Sequence, residues 1–259
     1  MVLVSWSEQH LGAIDFARAH ALTHKRSLVL ASWGASPAAT VSVPPEALGR
    51  MTGLQLLGIE ISAESAKTPR RPSPVAEPYV RSLMEGAHSL VLGPNVFRRL
   101  LLLPGYGTAF DEFPCPTYVV SGVDPNVTGV LCVASRRTEV PRLVEAGLQE
   151  SARRALALRV AHAWRPHDAH RFATGVRSDQ SGRSMTLEEL RAAVLEVHGA
   201  AEAAVAVEVH YRQPLDVVEE GMRTGALVLV GDAVLVPRRT REAPPARAVG
   251  VVAVVPASS

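Results

Sequence analysis

Two short apolar runs, each closed by a glycine, constrain the fold of this chain most. Residues 89–93 have the sequence Ser-Leu-Val-Leu-Gly, and residues 227–231 have the sequence Leu-Val-Leu-Val-Gly. Such runs, rich in branched apolar residues, are typical of buried parallel strands. Open α/β sheets keep their ligand crevice at the carboxyl ends of the strands. The residues that follow Gly93 and Gly231 therefore decide whether the chain holds a ligand.

Strand patterns alternate with helical patterns along the chain, and the whole order occurs twice. The first half has predicted strands at 2–5, 27–33, 54–62, 90–93 and 117–121. The second half has predicted strands at 130–134, 157–164, 203–211, 227–231 and 249–255. The predicted helices are 8–24, 45–51, 79–87 and 96–103 in the first half, and 139–155, a helix opening at Thr186 and 214–224 in the second. This alternation predicts an α/β fold with parallel doubly wound sheets and right-handed crossovers.

The repeat predicts two tandem domains rather than one large one. Its period is about 128 residues, from Leu3 in the first strand to Leu131 in the sixth. The turn-forming segment 123–126 separates the copies, since Asp124, Pro125 and Asn126 all favour turns. We therefore predict domains at 1–122 and 127–259, each with five strands.

Composition excludes several classes of function. The net charge is +2 among 259 residues, and the basic residues are scattered singly or in pairs, so we expect no nucleic-acid partner. No apolar run approaches the length of a membrane span, and no basic segment precedes the first apolar residues. We expect a cytoplasmic protein with no membrane partner. The two cysteines, Cys115 and Cys132, predict buried thiols rather than a disulfide framework.

Three short motifs resemble the universal stress protein family in its tandem form. The second strand of each half ends in a similar way, with Ala31-Ser32-Trp33 in one and Ala161-His162-Ala163-Trp164 in the other. Pro114-Cys115-Pro116 resembles the family's lead into its fifth strand, and residues 227–231 resemble its fourth strand. The resemblance implies two five-stranded domains, Rossmann-like and similar to the adenine nucleotide alpha hydrolases, packed as an internal pseudo-dimer.

Nucleotide-binding members of that family use an acidic residue after the first strand and a glycine pattern after the fourth. The glycines let backbone N–H groups approach phosphate oxygens. This chain has no carboxylate at either first-strand end, which is Ser5-Trp6-Ser7 in one half and Ala134-Ser135-Arg136 in the other. Other residues replace the family's later glycines, with Val96 and Tyr106 after Gly93, and Val234 and Pro244 after Gly231. Since proline has no N–H to donate, we expect the second half to have lost nucleotide binding.

The first half retains the parts of a shifted adenine-nucleotide site. An ATP or AMP molecule in its crevice would face seven candidate residues: Ser5, Trp6, Gly93, Asn95, Gly105, Gly107 and Thr108. The alternative is that Gly105 and Gly107 only end a helix and turn the chain.

We expect no catalytic residues and no metal site. His162 falls within a strand pattern and is expected to be a core histidine, while His167, Asp168 and His170 fall in a polar loop. His10, His20 and His24 share a predicted helix without a HExxH motif, which favours a polar helix face.

The sequence therefore favours a non-catalytic stress-response or regulatory protein. It would act by binding a protein partner or by forming a homodimer, without a cofactor. The first alternative is an adenine-nucleotide sensor with the single site described above. The second is an enzyme that acts on a small ligand in the same crevice, with Ser5, Ser7 or His10 as polar groups.

Overall fold

The computed structural model describes most of the predicted core. The described residues are 2–6, 11–33, 61–66, 87–93, 115–121, 127–164, 185–198, 205–231 and 250–255. Contacts between residues divide the chain into two compact units, with the division between Pro125 and Asn126.

The described part of the first unit contains five parallel strands and one helix. Its elements are β1 (Val2–Trp6), α1 (Leu11–His24), β2 (Leu28–Trp33), β3 (Ile61–Ala66), β4 (Ser89–Leu92) and β5 (Thr117–Ser121). The strands lie in the order β3-β2-β1-β4-β5, and every pairing is parallel. Since β1 has β2 on one side and β4 on the other, the strand order reverses at β1.

The second unit has the same strand order. Its elements are β6 (Gly129–Ala134), a 3₁₀ turn (Arg137–Glu139), α2 (Val140–Arg154), β7 (Leu158–Ala163), α3 (Leu187–His198), β8 (Val205–His210), α4 (Pro214–Arg223), β9 (Ala226–Val230) and β10 (Gly250–Val254). Its strands lie in the order β8-β7-β6-β9-β10, again all parallel. The reversal here is at β6.

The predicted α/β class with parallel strands is confirmed by these pairings. The domain boundaries 1–122 and 127–259, and the packing of two domains as an internal pseudo-dimer, stay predictions. Predicted helices at 45–51 and 96–103 lie outside the described residues, as does all of 79–87 except Ala87.

Burial follows the sequence pattern closely in three of the strands. Every residue of β5, β9 and β10 is buried, as expected for strands covered on both faces. Helix α2 turns Val140, Leu143, Val144 and Gly147 inward, which is the face that the three-and-four spacing predicts. The predicted start of α3 at Thr186 forms a capping box, in which Thr186 Oγ1 accepts the Glu189 N–H at 3.1 Å and Glu189 Oε2 accepts the Thr186 N–H at 2.8 Å.

The predicted third strand covers only the first part of β3. The strand was expected at 54–62, and β3 is Ile61–Ala66, so residues 63–66 were not predicted, while 54–60 lie outside the described residues. Its second half, Glu-Ser-Ala, lacks the apolar content that marks the other strands. β3 pairs with β2 in parallel along its whole length, so backbone hydrogen bonds form this strand although its sequence carries little strand signal.

None of the helices in the described part of the chain combines the length and apolar character that a membrane span requires.

The contact between α2 and β6 leaves no room for a side chain at residue 147. A Cβ on Gly147 would overlap Cys132 Sγ and lie 2.9 Å from Leu158 Cδ1. Overpacking of this kind costs about 1–3 kcal/mol, while alanine gains at most about 1 kcal/mol over glycine in a helix. We expect Gly147→Ala to lower the free energy of unfolding by about 1 kcal/mol or more, measured by urea denaturation.

Gly129→Ala is the matched control for this prediction. A Cβ at Gly129 meets only the Ala157 carbonyl oxygen, at an ordinary 3.8 Å. We expect this change to stay within about 0.5 kcal/mol of the wild type. Equal stability of the two variants would contradict the close contact between α2 and β6.

Candidate functional site

In each unit two neighbouring parallel strands end side by side where the strand order reverses, and we call these two places the first and the second crevice. The first crevice lies where β1 and β4 end, and the second lies where β6 and β9 end. In both, the strand order reverses at the first strand of the unit, which is where open α/β sheets bind ligands. The register pairs Val4 with Val91 in the first unit and Val133 with Val230 in the second.

The first crevice contains three of the predicted site residues. Ser5 and Trp6 end β1, and the buried Gly93 follows β4 directly, so the parallel pairing places them at the same edge of the sheet. Asn95, Gly105, Gly107 and Thr108 lie outside the described residues. Ser7 and His10, the polar groups of the enzyme alternative, also lie outside them.

The second crevice contains a carboxylate that the motif comparison did not predict. After β6 the chain makes a single 3₁₀ turn, which returns the Glu139 side chain to the end of the strand. Its Oε2 atom accepts three hydrogen bonds: from the Ser135 N–H at 3.0 Å, the Ser135 hydroxyl at 3.1 Å and the Arg136 N–H at 3.0 Å. The Glu139 side chain is only 3% exposed.

The other oxygen of the same carboxylate faces β9 and α2. Arg142, one turn further along α2, places Nη2 at 3.7 Å from Glu139 Oε1 and balances its charge. Gly231 lies directly against this oxygen, since a Cβ at that position would overlap Oε1. Gly231, which directly follows β9, therefore makes room for the side chain of Glu139.

These contacts resemble those of an anion-binding site, except that the bound anion is the protein's own Glu139 carboxylate, which we call the internal anion. Successive backbone N–H groups and a hydroxyl are the donors that proteins present to phosphate. Here the Ser135 and Arg136 donors face the Glu139 carboxylate, and hydrogen bonds to a charged acceptor are among the stronger ones in proteins. A phosphate entering the second crevice would lose those donors and meet a negative charge at close range.

The sequence did contain a signal for this contact. Glu139 lies three residues after Arg136, the residue at which the turn begins, and an acidic residue at that spacing often reaches back to the N–H at the start of a helix. The residues directly after the strand, Ala134-Ser135-Arg136, contain no carboxylate, so the family's motif does not reveal the one that the following turn supplies.

His162 is a core residue, as its place in a strand pattern predicted. It lies in β7, is fully buried, and neither ring nitrogen makes a hydrogen bond of good geometry to another described residue. Burial lowers its pKa below the ordinary value of 6.5, while the Ala134 backbone and the charge of Glu189 oppose that shift. The neutral ring is therefore the favoured form.

The two cysteines are buried free thiols, as expected. Burial raises the pKa of Cys115 to about 12, and it also raises the pKa of Cys132. Cys132 Sγ lies 3.0 Å from the Leu143 carbonyl oxygen and packs under α2. Both thiols are therefore protonated at neutral pH, which makes them packing residues rather than nucleophiles.

The predicted polar helix face at His20 and His24 is wrong for His20. That side chain is fully buried, and its Nε2 atom lies 3.1 Å from the Ser89 hydroxyl oxygen. The helix face that carries both histidines turns toward the start of β4, where His88 lies beside them. Short-range spacing could not predict this contact, because His88 is 64 residues further along the chain than His24.

Solved structures resemble this chain over nearly its whole length. A universal stress protein from Archaeoglobus fulgidus DSM 4304 matches with a TM-score of 0.53 and 15% identity, over 98% of this chain and 96% of that one. A protein provisionally named a universal stress protein, from Pseudomonas aeruginosa UCBPP-PA14, matches with a TM-score of 0.58, 14% identity and coverages of 98% and 92%. A protein of unknown function from P. aeruginosa PAO1 matches with a TM-score of 0.57 and 14% identity, over 98% of this chain and 92% of that one.

The chain has a universal-stress-protein-like fold. No protein-family model and no curated protein matches it. At 14–15% identity the structural likeness concerns the fold alone, and function has to be argued from the residues of the two crevices.

The Glu139 carboxylate should contribute strongly to the stability of the second unit. Glu139→Ala removes the acceptor of three donors that are partly buried, so we expect the free energy of unfolding to fall by about 1.5–3 kcal/mol, as for loss of a hydrogen bond to a charged group. The measurement is urea denaturation. Glu145→Ala is the control, since Glu145 is an exposed residue of α2 and its loss should cost less than about 0.5 kcal/mol. Equal effects of the two changes would contradict the role assigned to Glu139.

The lowered pKa of His162 predicts a pH-dependent contribution to stability. The unfolded chain takes up a proton near pH 6.5, whereas the folded chain takes it up only at lower pH. Stability from the neutral ring is therefore complete above pH 6.5 and falls as the pH drops toward the folded-state pKa, by at most about 1.4 kcal/mol per pH unit.

His162→Leu removes the titrating ring while keeping an apolar side chain. We expect this variant to lose less stability than the wild type between pH 6.5 and pH 5, measured by urea denaturation at each pH. A stability difference between the two proteins that is the same at every pH would contradict a buried neutral His162.

Proposed function

We propose that this protein is a non-catalytic regulatory protein of the universal stress protein type. In this proposal it contains two tandem five-stranded domains, has lost nucleotide binding, and acts in the cytoplasm by binding a protein partner or by self-association. The equal strand order of the two units supports the tandem arrangement. The stress-response part rests on analogy with proteins of similar fold.

The observation that carries the proposal is the internal carboxylate of the second crevice. Glu139 takes the N–H groups of Ser135 and Arg136, and Gly231 is packed against it. A nucleotide phosphate would have to displace a buried side chain that is held by three hydrogen bonds and lies beside Arg142. In this proposal the second domain has lost its contacts to phosphate but keeps its fold.

One observation favours the alternative, an adenine-nucleotide sensor with a site in the first unit. Ser5 and Trp6 at the end of β1 lie beside β4, which is closed by Gly93. A glycine at that point allows the backbone to approach a phosphate. In this alternative ATP or AMP binds the first crevice only, with one molecule per chain.

Nucleotide binding distinguishes the two functions directly. The purified protein is first denatured and its released small molecules are assayed for adenine nucleotides. ATP and AMP are then titrated into nucleotide-free protein by calorimetry. We expect no bound nucleotide and no heat of binding at millimolar ligand, because the second crevice is filled by its own carboxylate and the first lacks the family's glycine pattern.

Stoichiometry and molar mass complete the test. One nucleotide per chain would replace the proposal with the sensor alternative, and two per chain would contradict the assignment of Glu139 as an internal anion. Light scattering over a range of protein concentrations measures self-association. A mass that rises to two chains supports a homodimer, whereas a constant mass of one chain restricts the proposal to a different protein partner.

A further inference from the structure

Three histidines of the first unit lie together at the end of the sheet opposite its crevice. His20 and His24 are one turn apart on α1, and His88 directly precedes β4. Their ligand nitrogens all lie within 4.8 Å of one another. We call this group the histidine cluster. It is formed at the amino end of β4, because Ser89 pairs in register with Val2, the first residue of β1.

The cluster reaches from the core to the surface. His20 is fully buried, whereas His24 and His88 are half-buried. The ring centroids of His20 and His24 are 3.9 Å apart, and those of His24 and His88 are 5.6 Å apart. Water can therefore reach the outer side of the cluster while its inner side is held by the core.

Aromatic packing fixes the innermost ring. Phe16 stacks on His20 at a centroid distance of 5.7 Å, and Tyr118 lies 4.6 Å from it. The Ser89 hydroxyl is 3.1 Å from His20 Nε2. A second contact that fixes the ring orientation and tautomer is a regular feature of histidines that bind metals.

We propose that the histidine cluster binds one divalent transition-metal ion, with Zn²⁺ as the ion of choice. Imidazole nitrogen suits zinc, copper and nickel, whereas magnesium and calcium prefer oxygen ligands. Three histidines with water in a fourth position form a known tetrahedral zinc arrangement. The half-buried side of the cluster, at His24 and His88, is where that water would lie.

The distances fit this coordination after small side-chain movements. A zinc–nitrogen bond of about 2.0–2.1 Å in a tetrahedron places the ligand nitrogens about 3.3 Å apart. In the cluster one ligand nitrogen from each histidine lies within 4.8 Å of the others. The two residues with half-buried rings, His24 and His88, can close the difference by rotation about their side-chain bonds, while His20 stays fixed by its packing.

The spacing on α1 supports chelation rather than chance proximity. Residues four apart on a helix lie on one face, one above the other. His20 and His24 have this spacing, as do the two histidines of helical zinc motifs. His88 comes from a different element, so the folded chain provides the third ligand that the helix alone lacks.

The experiment uses full-length protein without any histidine tag, freed of metal by a chelator. Zn²⁺ is titrated in competition with a chromophoric chelator, and Co²⁺ is used as a spectroscopic probe of tetrahedral nitrogen coordination. We expect one Zn²⁺ per chain, a tetrahedral Co²⁺ spectrum that Zn²⁺ abolishes, and a higher Tm with Zn²⁺. Mg²⁺ at the same concentration should leave the Tm unchanged.

His24→Gln and His88→Gln test the ligands at the half-buried positions, where folding is least at risk. Each should weaken Zn²⁺ binding by at least about 100-fold, which is the upper range for changes outside the coordinating residues. His210→Gln is the matched control, since His210 lies in the second unit beside Glu208, and it should leave the affinity unchanged. Circular dichroism confirms that each variant is folded.

Two results would overturn the proposal. One is the failure of the wild type to bind Zn²⁺ or Co²⁺ at a tenfold excess of metal over protein. The other is a Zn²⁺ affinity that is equal in the wild type, His24→Gln and His88→Gln. Neither result bears on the nucleotide question, because the histidine cluster and the first crevice lie at opposite ends of β4.

Discussion

The parallel pairing of β6 with β9 determines what the second unit can hold. It places the last residues of both strands at one edge, and the 3₁₀ turn after β6 then returns Glu139 between them. A carboxylate that accepts two backbone N–H groups and a hydroxyl is stable there only because a glycine, Gly231, leaves room beside it. The strand pairing, the turn and the glycine together make a filled crevice out of a fold that commonly keeps an open one.

The sequence predicted the parallel α/β class and most strand positions because those strands are buried on both faces. An apolar run such as 227–230 is sufficient to predict a buried strand. It failed at β3, where a run of Glu-Ser-Ala forms a strand through its pairing with β2. Propensity describes how side chains fit a half-buried surface, and it does not include the backbone hydrogen bonds to β2 that form this strand.

The sites were harder to predict than the fold, for a different physical reason. A motif consists of residues that are close in the sequence. The contacts of Glu139 and the histidine cluster instead depend on how the folded chain returns to an earlier element. Glu139 returns through a turn to the strand end that it follows, and His88 meets His24 only because α1 packs against β4. Three of the seven predicted crevice residues, Ser5, Trp6 and Gly93, do share one sheet edge, since strand order alone fixes that contact.

An internal anion changes how the stability of the second unit depends on its surroundings. A domain that binds a nucleotide gains stability in proportion to the logarithm of ligand concentration once that concentration exceeds Kd. A domain whose crevice is filled by its own carboxylate gains the corresponding contacts at all times, because Glu139 is covalently part of the chain. If the second unit has lost nucleotide binding, as we propose, its folded population does not depend on the nucleotide level. Such a unit suits a protein that presents a constant surface to a partner. A sensor needs a ligand-dependent difference between two states, and in the alternative function only the first unit supplies it.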